Sequence, residues 1–160
     1  MISVSGKNIG LCNGKDICSD HSEGGMFIWE NSYMNSHVPV VVSVCLSDFI
    51  FYFMGDEITY CRMLKSNPHT IAYNKSFGFK LCDEQQKNEN QWYQLERKDY
   101  ELNVPHLRKM AQTIYGDADN TITIQLDKED DANGVSVFMK KYYEAFITKS
   151  TPAKFKLVNI

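Results

Sequence analysis

VPVVVSVCLSDFIFYFM, residues 38–54, is the most apolar window of the chain, and whether it is strand or helix decides the fold. Val38 to Leu46 is rich in β-branched residues, which suit a pleated surface, so the window reads as a central strand buried on both faces. Phe49 to Met54 continues it after a break at Ser47-Asp48, and Gly55-Asp56 reads as a turn. The window is too short, and too polar at its middle, to span a bilayer.

Outward from that window, the first two-thirds of the chain reads as β-structure. Ile2 to Ser5 and Ile9 to Cys12 flank Gly6-Lys7-Asn8 as a hairpin. Met26 to Glu30 follows Gly24-Gly25 as a strand. Glu57 to Leu64 puts Ile58 and Tyr60 on one face and Thr59, Cys61 and Met63 on the other. Short strands also fit Thr70 to Asn74, Phe77 to Cys82 and Trp92 to Glu96, with DEQQKNENQ (83–91) as a polar loop.

The period then changes. Leu107, Met110, Ala111 and Ile114 form a helical stripe. The spacing predicts a helix over about 105–115, with Pro105 in its first turn and Gly116 as its C-terminal cap. Thr121 to Leu126 returns to strand. Val135, Phe138, Met139, Tyr142 and Phe146 predict a second helix over about 134–148, ended by Pro152 and followed by an edge strand from Lys154 to Val158. The expected fold is α+β: one domain over 1–160, a mostly antiparallel sheet with the two helices packed on one face.

Composition narrows the classes. With 43% hydrophobic and 23% charged residues, the chain is neither disordered nor fibrous. MISVSGKNIGLCNGKD lacks the basic start and apolar core of a signal peptide. Five cysteines, an odd number, then read as reduced thiols of a cytoplasmic protein. Fourteen lysines against three arginines are a poor set for bidentate phosphate or base contacts, so nucleic acid is not an expected partner; with no window apolar enough to span a bilayer, neither is a membrane.

The net charge of −3 is unevenly spread. GDADNTITIQLDKEDDANG (116–134) holds six acids and one lysine. Asp117, Asp119 and Thr121 match the start of a calcium loop, but Ile122 replaces its glycine and Lys128 its bidentate glutamate, so no metal is expected. Asp is favoured in turns, and Asp127 to Asp131 precede a helix N-terminus, with Asp131 or Asn133 as its cap. The excess of acids reads as a partner-binding surface of Asp117, Asp119, Asp127, Glu129, Asp130 and Asp131.

Other candidates are weaker. Cys12, Cys18 and His21, with His37 distant, lack the tight cysteine spacing of structural zinc. No nucleophile motif joins any cysteine to His21, His37, His69 or His106. Glu30 beside Trp29 could be a half-buried general acid, without an identified partner. Glycine patterns for phosphate or dinucleotide loops are absent, and FGF (77–79) reads as strand packing. Trp29, Tyr33, Trp92, Tyr93 and Tyr100 are the aromatic anchors, with Trp29 and Trp92 read as core. No cofactor and no catalytic residue is assigned. The reading is a protein-binding inhibitor or immunity-type protein that neutralises a basic toxin or enzyme through its acidic surface. The alternatives are a small enzyme with a Cys/His site in a sheet cleft, or a self-assembling structural subunit of a viral or secretion apparatus.

Overall fold

Two strands that run parallel side by side organise the chain. The computed structural model describes residues 1–15, 21–115 and 121–159. Its elements in order are β1 (Ile2–Val4), β2 (Lys7–Lys15), β3 (His21–Ile28), α1 (Asn31–Met34), α2 (Val38–Asp48), a π-helical segment (Phe49–Met54), β4 (Ile58–Leu64) and α3 (Pro68–Phe77). There follow β5 (Lys80–Leu81), β6 (Asn90–Glu96), α4 (Arg97–Tyr115), β7 (Thr121–Leu126), α5 (Lys128–Ala132), α6 (Val135–Phe146) and β8 (Lys154–Asn159).

Six strands form a sheet in the order β1-β2-β3-β4-β6-β5, antiparallel except where β3 lies parallel to β4. The expected α+β class, with its mostly antiparallel sheet, is the observed one. β7 and β8 pair parallel in a separate two-stranded sheet, so the predicted strand from Lys154 is not an edge of the main sheet.

The deciding window is helix, not strand. Parallel neighbours cannot be joined by a tight turn and need a crossover of a dozen or more residues, usually helical. Residues 38–48 supply it as α2, with Pro39 in the first turn, where its missing N–H does no harm. The wider π-helical turn follows, closed by Gly55 N–H donating to the Ile50 carbonyl at 3.1 Å. It buries Ile50, Phe51, Tyr52 and Phe53 in succession, which an amphipathic α-helix would not do. Full burial of Phe51 and Phe53 stabilises the fold by roughly 2–3 kcal/mol each. Around them pack Val44, Phe77, Leu95, Tyr100, Val104, Leu107, Phe146 and Phe155.

The strand expected at 70–74 is instead part of α3, while of that expected at 77–82 Phe77 ends the helix and Lys80–Leu81 are strand β5. Asn67 Oδ1 accepts the Thr70 N–H at 3.2 Å, Pro68 opens the helix, and Gly78 closes it at φ +105°. α4 begins well before the predicted 105, so Pro105 lies inside the helix rather than in its first turn. Gly116 lies outside the described residues.

Asp48, at the predicted strand break, is instead 2% exposed. Its carboxylate accepts Arg108 Nη1 at 2.7 Å and Nη2 at 2.6 Å, and Tyr100 Oη at 2.8 Å. Burial works against the Arg108 charge, but the Asp48 carboxylate outweighs it and holds the guanidinium pKa above its ordinary value. This network bolts α2 to α4. Arg108→Ala, which strands a buried carboxylate, is expected to lower stability by about 3 kcal/mol. The double variant Asp48→Asn/Arg108→Met should lose less than Arg108→Ala alone. Urea unfolding measures both, and a loss below about 0.5 kcal/mol for Arg108→Ala would mean that the pair anchors nothing.

Candidate functional site

β3 and β4 pair only at their N-terminal ends. His21, Ser22 and Glu23 face Ile58, Thr59 and Tyr60, and no ladder continues beyond them. Each strand stays held on its outer edge, β3 by β2 as far as Gly10 against Ile28, and β4 by β6 as far as Leu64 against Asn90. The inner edges of residues 24–28 and 61–64 thus carry N–H and C=O groups with no strand partner. Backbone of this kind takes up an extended, amide-bearing ligand as an added strand.

The split opens a cleft of about 630 Å3 between α2 and α3. Val40, Ser43, Leu46, Ser47 and Ile50 line one wall, and His69, Tyr73 and Phe77 the other. His69, Tyr73 and Phe77 stand one turn apart on a single face of α3. Gly24 lies near the closed end, where a Cβ would meet Ile50 Cδ1 at 3.6 Å and Leu46 Cδ2 at 3.8 Å.

Across the cleft, Tyr73 Oη and Ser43 Oγ are 2.8 Å apart. Burial pushes the Tyr73 phenol up to about 12, against the pull of the Ser43 hydrogen bond. The phenol is therefore neutral, and a proton donor, at physiological pH. Cys61 also lines the cleft, but burial, then the Glu23 charge, pushes its thiol up to about 12. Glu23, 7% exposed, accepts Arg62 Nε at 3.0 Å and Nη2 at 3.2 Å, and pairs with Lys15 Nζ at 3.2 Å. The Arg62 guanidinium lies 4.9 Å from the Trp92 ring centroid.

The sequence-derived acids are not brought to this cleft. Asp117 and Asp119 lie outside the described residues. Asp127 caps α5, its Oδ1 accepting the N–H groups of Glu129 (2.8 Å) and Asp130 (3.1 Å), while Asp130 Oδ2 accepts the Asp127 N–H at 2.9 Å. Asp131 sits within that short helix, and α6 starts at Gly134 without a side-chain cap, so neither Asp131 nor Asn133 caps it. Among the described residues no three His, Cys, Asp or Glu gather as a metal site; Cys18 and the side chain of His21 are outside them.

Glu30 is not a raised-pKa acid, because its hydrogen bond to Lys7 holds the carboxyl below the usual range. Trp29 is 44% exposed rather than core, and Trp92 is half-buried beneath Arg62. Ser43, Gly24 and Tyr73 were not singled out from sequence. The signals present were Gly24-Gly25 at mid-strand and the cap-and-proline start SNPHT, which marks a helix.

No protein-family model and no curated protein sequence matches the chain. Solved structures do share its fold. The Campylobacter jejuni N-acetyltransferase PseH in complex with acetyl coenzyme A matches with a TM-score of 0.51, 14% identity, and 59% of this chain against 64% of that one. FdhC, described as a nucleotide-linked sugar GNAT, matches at 0.57 and 16% identity over 66% of this chain and 58% of its own. A variant of spermidine N-acetyltransferase SpeG from Vibrio cholerae matches at 0.52 and 15% identity, over 62% and 64%. The chain spans about three-fifths of the length of these structures.

These likenesses correct the expectation of an inhibitor or immunity-type protein, of toxin neutralisation, and of a basic protein partner. Of these three proteins PseH and SpeG are N-acetyltransferases and FdhC a nucleotide-linked sugar GNAT, and the PseH structure holds acetyl coenzyme A. The alternative of a small enzyme with a Cys/His site in a sheet cleft stands closer; Cys61 and His69 both line the cleft, although burial raises the Cys61 thiol and so disfavours its thiolate. Native Cys61, and Cys45, which burial pushes up to about 11, are expected to label with a maleimide at pH 8 at least about tenfold more slowly than in urea. Peptide mapping after timed quenching measures this, and one fast-labelling cleft cysteine would reinstate thiol chemistry.

Proposed function

We propose that the protein is an N-acyltransferase that moves an acyl group from a thioester donor to an amine, acting in the cytoplasm. One observation carries this: the parallel pair β3-β4 separates after three residue pairs into a cleft with unpartnered backbone along both inner edges. Residues 24–28 extend over about 16 Å at roughly 3.3 Å per residue, long enough to hydrogen-bond a donor arm that carries successive amides. The fold shared with a protein solved with acetyl coenzyme A supports the same reading. Free thiols at Cys12, Cys45, Cys61 and Cys82 support a reducing compartment, and no helix among the described residues is long and apolar enough to cross a membrane.

The thioester supplies an activated carbonyl carbon. In the transfer the C–N bond forms and the C–S bond breaks; the nitrogen loses a proton and the departing sulfur gains one. Tyr73 is the residue we assign to hold that second proton. Its neutral phenol faces the cleft, and the Ser43 hydroxyl at 2.8 Å fixes its orientation. Leu46, Ile50 and Phe77 form an apolar closed end suited to a short acyl group and hostile to water. Among the described residues lining the cleft there is no Asp or Glu, so nothing there favours a polycationic acceptor.

The test is thiol release from acyl thioesters across a panel of amines, read with wild type and Tyr73→Phe. Loss of a general acid predicts a fall in kcat of about 100-fold with donor binding unchanged. Because the Tyr73 pKa is raised to about 12, wild-type kcat should not decline between pH 8 and pH 10. A falling limb in that window would remove Tyr73 from the role, and no donor binding at all would remove the acyltransferase assignment.

A further inference from the structure

A coenzyme A donor ends in a multiply charged nucleotide, and the wide end of the cleft is where that end would emerge. Two helix N-termini flank it, α2 after β3 and α3 after β4, both with residues in the lining. Such termini bind phosphate when their first N–H groups are free. Here nearly all are spent. In α2, Val38 N–H donates to Ser36 Oγ at 3.1 Å, Pro39 has no N–H, and Val41 N–H donates to the His37 carbonyl at 3.2 Å. In α3, Pro68 has none, Thr70 N–H donates to Asn67 Oδ1 at 3.2 Å, and Ile71 N–H to the Asn67 carbonyl at 3.2 Å. One uncommitted N–H remains on each helix, at Val40 and His69.

The described side chains that line the cleft do not make up the deficit. No glycine interrupts residues 29–37, so backbone cannot close around a phosphate there. Arg62 is the one lysine or arginine among the described lining residues, and two of its donors are held by Glu23. The mouth instead presents Phe27, 61% exposed, and Met34, 56% exposed.

We propose that the cleft recognises its donor through the amide-bearing pantetheine arm and acyl group alone, and leaves the nucleotide of coenzyme A unbound in solvent. The substrate class is then acyl thioesters of pantetheine, whatever head the arm carries. This rests on the acyltransferase reading, and the experiment separates the two. Calorimetry on the intact chain compares acetyl coenzyme A with S-acetylpantetheine at low and high sodium chloride. Dissociation constants within about tenfold of each other, both insensitive to salt, are expected, since an unanchored diphosphate adds no charge-assisted hydrogen bonds. An acetyl coenzyme A advantage above about tenfold that collapses with salt would overturn the proposal and leave the acyltransferase reading standing. Binding of neither ligand would overturn that reading and the proposal with it.

Discussion

Three residue pairs, His21 to Glu23 against Ile58 to Tyr60, set the path that the chain between them must take. Their parallel sense requires the chain to cross from the end of β3 to the start of β4 on one face of the sheet. That requirement turns residues 38–48 into helix against their local preference. The pairing also ends early, and a parallel pair that ends while both strands continue must open a wedge. Position of the cleft and identity of its α2 wall therefore have one cause.

A wedge in a sheet would close, or slip into a longer ladder, unless its walls were fixed from outside. The Asp48 network does this from behind. Asp48 ends α2 on the core side, and Arg108 and Tyr100 hold it from α4, which follows directly on β6. β6 in turn holds the outer edge of β4. The wall formed by α2 and the wall formed by β4 are thus tied through α4 and β6 as well as through the π-helical segment that joins them in the chain. Among the described residues, the Tyr73–Ser43 hydrogen bond is the polar link between α2 and α3 across the opening. It is placed where a link and a proton donor coincide.

Legibility in the sequence followed the kind of signal each element carries. α4 and α6 have apolar stripes at helical spacing, and both were readable within a turn or two, apart from the early start of α4. β4, β6, β7 and β8 carry β-branched and aromatic alternation and were readable too. α2 was not, because a helix apolar on every side has no period, and its valines argue for strand when read alone. The π-helical segment was unreadable for the same reason. α3 was missed despite a cap, a proline and a terminal glycine, since its stripe is weak and its caps outweighed by TIAY. The cleft needs both helices at once, so Ser43 and Tyr73 are hidden together in the sequence, where the acids stand out instead although those of α5 bond locally.

The same local chemistry that obscured the helices also shapes what the cleft can hold. Proline in the first turn is favoured because it removes an N–H that the helix does not use, and a side-chain oxygen just before the helix satisfies another. Both devices start α2 and α3 firmly, and both subtract from the donors that a phosphate would need. A chain that relied on a diphosphate for affinity would be expected to leave those groups bare and to offer glycine beside them. Here stability of the two helix starts and affinity for an anion compete for the same N–H groups, and Ser36 and Asn67 decide the contest for the helices. What remains for recognition is the bare edge of the split strands, which reads amides and not charge.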